Sequence, residues 1–114
     1  MKYNYFLGEK KVKEGFIKKM FFHEKPVQML IVLKNERARY PTQVSKAVDC
    51  TYSHTVKTLE LFKKIGLVEF EKKGRVKYIK LTPEGEEIAH DLEGILKKLS
   101  RIEERFKVKL GKKK

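Results

Sequence analysis

Residues 42–85 read TQVSKAVDCTYSHTVKTLELFKKIGLVEFEKKGRVKYIKLTPEG, and the order of local signals within this stretch decides the architecture. Beside Pro41, which suits a first helical turn, Val44, Ala47 and Val48 fall at i, i+3, i+4 spacing and predict a short helix over Thr42 to Val48 with one narrow apolar face. Asp49, Cys50 and Thr51 make the following turn: Asp tolerates a left-handed backbone, and Thr51 is able to accept an N–H bond as an N-cap. A second helix therefore starts at about Tyr52. Its Val56, Leu59, Phe62 and Ile65 recur every three residues on the core side, while Ser53, His54 and Lys57 point the other way. Gly66 stops this helix as the residue after its last turn.

Next come Leu67 to Glu71 and Val76 to Leu81, two strand-like segments around Lys72-Lys73-Gly74-Arg75. This hairpin ends in three cations beside a glycine that permits the turn. Such an arm suits a phosphate ridge or a narrow minor groove. Cations at a hairpin tip also protect exposed edges and aid solubility, but behind a helix-turn-helix the tip favours DNA. The expected fold is mainly α with a small β-hairpin wing (α+β): a winged helix-turn-helix with a long C-terminal helix.

Working outward, Pro26 to Glu36 carries Val27, Leu30, Ile31 and Lys34 at helical spacing, widened by Met29, Val32 and Leu33, and forms the buried first helix of a trihelical core. Residues 9–22 predict another helix, with Val12, Phe16, Ile17, Met20 and Phe21 in an apolar stripe interrupted by Gly15. Tyr3, Tyr5, Phe6 and Leu7 predict a short strand or arm, too aromatic to stand in water, that packs on the C-terminal helix. Downstream, Thr82-Pro83-Glu84 is a helix start, and the pattern runs to about Val108. Ile88, Leu92, Ile95, Leu99, Ile102 and Phe106 are spaced 4, 3, 4, 3, 4 along it, with Leu96 and Leu110 alongside. That heptad seam outruns what one small domain covers, by about three turns, so it predicts a homodimer seam; the alternative is a fold-back onto residues 1–22. Gly94 lowers helix propensity there but permits close approach of a partner helix. The chain thus divides into an N-terminal arm and helix (1–24), the winged-helix unit (25–82), a C-terminal dimerisation helix (83–110) and a basic tail (111–114), the last read as solvated.

Composition agrees. A chain of 114 residues is one domain with a core. Its net charge of +13 and isoelectric point near 9.8 imply a polyanionic partner, nucleic acid ahead of membrane. The acids Glu84, Glu86, Glu87, Asp91 and Glu93 open the last helix and cations from Lys97 to Lys109 close it, as the macrodipole prefers, so part of the charge is structural. There is no run of about 18 apolar residues and no signal-peptide pattern at the N-terminus, and the expected location is cytoplasmic. Two Asn and two Gln among abundant Lys and Glu are a bias of proteins from very hot environments. Cys50 has no partner for an internal disulfide; it reads as a core plug in the inter-helix turn, with a redox-sensing thiol as the alternative. One Cys and the scattered His23, His54 and His90 lack ligand spacing, so no metal and no cofactor are expected. Neither a Gly-rich phosphate loop nor a Ser/Cys–His constellation nor a carboxylate pair suggests an enzyme.

The segment from about Pro26 to Gly85 resembles winged-helix regulators of the MarR and ArsR type, especially small archaeal ones. Tyr52-Ser53-His54-Thr55-Val56, Lys63-Lys64-Ile65-Gly66-Leu67-Val68 and Leu81-Thr82-Pro83-Glu84-Gly85 carry the likeness, over about half the chain. The resemblance implies a symmetric dimer with each recognition helix in a major groove and each wing beside a minor groove, repressing or activating transcription. With only one helix after the wing, an effector cavity is not expected. Phosphate contacts are expected from Thr42, Gln43, Thr51, Tyr52, Lys72 and Lys73, through helix N-termini and cations. Base reading is expected from Ser53, His54, Lys57 and Thr58, with His54 alternatively a plain surface histidine. Arg75 is expected in the minor groove, and Lys77 completes the DNA-binding set. The seam Ile88, Leu92, Ile95, Leu99, Ile102 and Phe106 is expected to join two copies on a pseudo-palindrome. Two other readings stay open: an architectural, nonspecific duplex binder, and a protein-interaction module of the transcription or replication machinery.

Overall fold

The computed structural model describes residues 4–7, 10–13 and 15–109, with side chains from Gly15 to Lys107. Strands β1 (Asn4–Leu7) and β2 (Lys10–Lys13) pair antiparallel in the register Asn4↔Lys13 to Leu7↔Lys10 and lead into the five-residue helix α1 (Phe16–Met20). The helix expected over residues 9–22 is therefore corrected to a strand followed by a single short helix. Gly15, the N-cap of α1, holds φ at 85°, a left-handed turn that breaks any continuous helical path from residues 10–13. Tyr3 lies outside the described residues.

Helix α2 (Glu24–Lys34) runs through the centre and buries Pro26, Val27, Met29, Leu30, Val32 and Leu33. Helix α3 (Pro41–Ala47) starts on Pro41, as expected, but its inner face is Val44 and Ser45, while Ala47 is exposed; Val48 is buried just past the helix end. Ser45 tolerates burial because its hydroxyl donates to the Thr42 carbonyl at 3.0 Å. Asp49 takes φ 56° in the turn, the left-handed conformation its residue type permits. Cys50 is half-buried against the core.

Helix α4 (Tyr52–Lys64) buries Thr55, Thr58, Leu59 and Phe62. Of its expected core stripe, Leu59 and Phe62 are buried and Ile65 packs half-buried against the core, while Thr55 takes the buried place expected of Val56. Steps of three residues drift by about 60° each around an α-helix, and Thr55, Leu59 and Phe62 at i, i+4, i+7 keep to one side. The Thr55 hydroxyl is buried without a hydrogen-bond partner.

The wing consists of β3 (Val68–Lys73) and β4 (Val76–Leu81), antiparallel from Val68↔Leu81 to Lys73↔Val76. Only Gly74 and Arg75 lie between the strands, with Gly74 at φ 61°, so the four-residue tip expected from sequence contracts to a tight two-residue turn. Ile79 N–H donates to the Arg39 carbonyl at 2.7 Å, which hooks the wing to the loop between α2 and α3.

Thr82 joins the wing to α5 (Pro83–Lys109). Its hydroxyl accepts from Gly85 N–H at 3.0 Å, an N-cap as expected, and donates to the Gly66 carbonyl at 2.7 Å, while Thr82 N–H donates to Leu67 O at 3.0 Å. A Cβ at Gly85 would stand 2.0 Å from the Leu67 carbonyl oxygen, so this first turn of α5 rests directly on backbone. α5 has 27 residues, about 40 Å of helix. Among the described residues its first half packs on the body: Ala89 is fully buried, and Ile88 and Leu92 pack partly buried on the core beside α2. Of the expected seam, Ile88 and Leu92 therefore already have a partner within the single chain. Ile95, Leu96, Leu99, Ile102 and Phe106 are exposed, Phe106 by 60%. Leu110 and the basic tail lie outside the described residues. Among those residues no helix is long and apolar enough to cross a membrane.

Candidate nucleic-acid interface

α4 stands out from the body because its N-terminus is capped and its outer side is polar. Thr51 Oγ1 accepts from His54 N–H at 3.2 Å, an N-cap as expected. Around that start Tyr52, Ser53, His54 and Lys57 are all exposed, Tyr52 by 56%. Helical geometry sends them to different flanks. Tyr52, Val56 and Glu60, at i, i+4, i+8, face the wing across a groove of about 540 Å³, whose other side carries Lys72, Arg75 and Lys77 and whose end is closed by Tyr40 and Thr42. His54, Lys57 and Leu61 face the opposite way, into a second groove of about 620 Å³ walled by α1 and the start of α2. Ser53 sits at the exposed start of the helix.

The wing is braced against α4. Lys77 Nζ lies 4.7 Å from the centre of the Phe70 ring and 4.0 Å from a Glu60 carboxylate oxygen, and Lys63 Nζ lies 5.3 Å from the same ring. The contacts of Lys77 with Glu60 and of Lys63 with Phe70 link the wing to α4. Arg75, at the tight turn, and Lys72 make no such ion pair among the described residues and remain at the groove edge.

Several expected contacts are placed elsewhere. Thr58 is buried, 7% exposed, and its hydroxyl donates to the His54 carbonyl at 3.0 Å, so it is corrected from base reader to helix packing residue. Lys73 stays exposed, but the strand continues through it and the two-residue period puts its side chain on the other face of the wing from the first groove, where Nζ lies 5.7 Å from the Tyr78 ring centre. Gln43 Oε1 accepts from Arg39 N–H at 2.8 Å, which ties it to the loop before α3. Thr42 keeps its place beside the first groove. Tyr40, Val56 and Glu60 were missed; the i, i+4, i+8 relation to Tyr52 was the available signal for the last two. Among the described residues no group of three His, Cys, Asp or Glu side chains comes together as a metal-binding cluster.

No family model and no curated protein matches the sequence. Solved structures do match the fold. AF1382 from Archaeoglobus fulgidus is 26% identical, with 71% of this chain aligned to 93% of that one and a TM-score of 0.64. The adhesin competence repressor AdcR from Streptococcus pyogenes is 17% identical over 84% of this chain and 78% of its own, with a TM-score of 0.70. The MarR family transcriptional regulator SPO1453 from Silicibacter pomeroyi is 19% identical over 82% and 70%, with a TM-score of 0.66. The short trihelical core, the hairpin wing and the long last helix together are the winged-helix fold of the MarR-family transcription regulators.

Proposed function

We propose that the protein is a sequence-specific, double-stranded DNA-binding transcription regulator that acts as a homodimer. The observation that carries this reading is the groove between α4 and the wing, with Tyr52 on one side and Lys72 and Arg75 on the other. α4 enters the major groove, where Ser53, His54 and Lys57 meet base edges, Lys57 being suited to guanine acceptors. Lys72 meets phosphate and Arg75 the minor groove, where narrow tracts concentrate negative potential. Thr42 and Tyr52, near the starts of α3 and α4, set the register on the backbone. The likeness to AdcR and SPO1453, whose names describe a repressor and a transcriptional regulator, supports the same assignment.

The second half of α5 supplies the homodimer. Ile95, Leu99, Ile102 and Phe106 form an uncovered apolar stripe, each at least half exposed, larger than a single helix leaves to water without a partner. Two-fold pairing demands half-sites about 10–11 base pairs apart.

Selection from a random duplex library at about 150 mM salt, where pure counterion-release attraction is weakened, tests the reading. A palindromic consensus is the expected result, and Lys57→Ala should change the preferred base within each half-site. Enrichment without consensus would replace it with an architectural role, and no enrichment with a protein-interaction role.

A further inference from the structure

We infer that α1 and the start of α2 form a second contact surface for the DNA backbone, on the flank of α4 away from the wing, with Lys19 as its phosphate ligand. This rests on the reading of α4 as a major-groove helix.

A B-DNA major groove is about 12 Å wide and an α-helix with side chains about 10–12 Å across, so a docked helix is flanked by the sugar–phosphate ridges of both strands. The wing answers one ridge. On the other flank the chain offers the second groove, which runs along the helix past His54, Lys57 and Leu61. Its lining combines the apolar Phe16, Met20, Pro26 and Leu61 with the exposed cations Lys19 and Lys57. That combination matches a nucleic-acid ridge, in which apolar deoxyribose faces alternate with anionic phosphates. Phe16 is 43% exposed and Lys19 is exposed, so both are presented without rearrangement.

The groups nearby favour Lys19. Lys25 donates its ammonium to the Val48 carbonyl, tying the start of α2 to the end of the α3 segment and holding this wall in place relative to the helix-turn-helix. Glu24, the carboxylate at this groove, accepts from Gln28 Nε2 at 2.8 Å and is turned toward its own helix. His23 and His54 add donors on either side. A phosphate seated there meets Lys19, and α4 is clamped from both flanks.

The experiment compares Lys19→Ala, Lys19→Glu and Arg75→Ala with the wild-type full chain on its selected duplex, measuring affinity against salt and mapping phosphates by ethylation interference. Each phosphate contact contributes about 0.9 to the slope of log affinity against log salt. Lys19→Ala, which removes one contact in each half-site of the dimer, should lower the slope by about two units and erase interference on the ridge opposite the wing. Lys19→Glu should weaken binding further through repulsion. If Arg75→Ala lowers the slope while both Lys19 variants leave it and the interference pattern unchanged, the second surface is refuted and the DNA-binding reading stands. If the wild-type chain shows no salt-dependent duplex binding, both fall together.

Discussion

Glu93 and Lys34 lock the middle of α5 to the last turn of α2. Lys34 Nζ donates to Glu93 Oε1 at 3.1 Å, and the adjacent Asn35 Nδ2 donates to Oε2 at 2.9 Å, so both carboxylate oxygens are engaged. From Ile95 onward the described side chains of the helix are exposed.

The clamp predicts a pH dependence. The hydrogen bond from Asn35, then that from Lys34, hold the Glu93 carboxyl below its ordinary value of 4.5. A depressed carboxylate contributes stability that is present above the unfolded value and lost as pH falls through the folded one. Denaturant unfolding of wild type and Glu93→Gln should therefore differ near neutrality, with wild type more stable. The gap should close as pH drops below 4.5 and the folded carboxyl protonates. A gap constant down to strong acid would show that the charge is not what the clamp uses.

Two helical glycines of α5 should respond oppositely to alanine. At Gly94 nothing lies within 4 Å of an added Cβ, so Gly94→Ala should raise stability by up to about 1 kcal/mol through helix propensity. Gly85→Ala carries the same propensity gain but drives a methyl against the Leu67 carbonyl oxygen, and it should lose about 1–3 kcal/mol net. Thermal unfolding of both variants checks this. Destabilisation by Gly94→Ala would mean that another chain approaches the helix at that point.

Thr55 offers a test of core chemistry. Its buried hydroxyl has no partner, and a buried unpaired polar group costs about 1–3 kcal/mol. Thr55→Val keeps the shape and removes the hydroxyl, so it should stabilise the fold by about 1 kcal/mol. Thr58→Val, at a hydroxyl already bonded to the His54 carbonyl, should not stabilise and should leave DNA affinity within about twofold. Denaturation midpoints and duplex titration read the two effects. A large affinity loss in Thr58→Val would return that residue to the interface.

Leu99 is 51% exposed at the centre of the uncovered stripe. Leu99→Glu should leave the protomer folded, since the residue contributes little to its core, and give monomers by light scattering with much weaker operator binding. A dimer that survives the substitution would place the interface elsewhere.

Local signals alone determined much of this protein. Pro41 and Thr51 start helices, Gly66 ends one, Thr82-Pro83 starts the last, and alternation around Gly74 makes the hairpin. These rest on backbone preferences of single residues, which hold in any surroundings. That is why the order of elements from α2 to α5, and the winged-helix fold, were legible. What failed locally was decided by packing. Gly15, read as an interruption, became a boundary because residues 10–13 found partners across a hairpin. Thr55 is buried in place of Val56 because the contacts of Leu59 and Phe62 set the rotation of α4 about its axis, and neighbouring residues differ by about 100°. The same rotation removed Thr58 from the surface, and strand alternation put Lys73 on the other face of the wing, once the turn had contracted to two residues. Ile88 and Leu92 share their heptad with Ile95 and Leu99, and nothing in the sequence divides them; only the position of α2, which ends at the Glu93 clamp, decides where the intrachain core stops and the uncovered stripe begins.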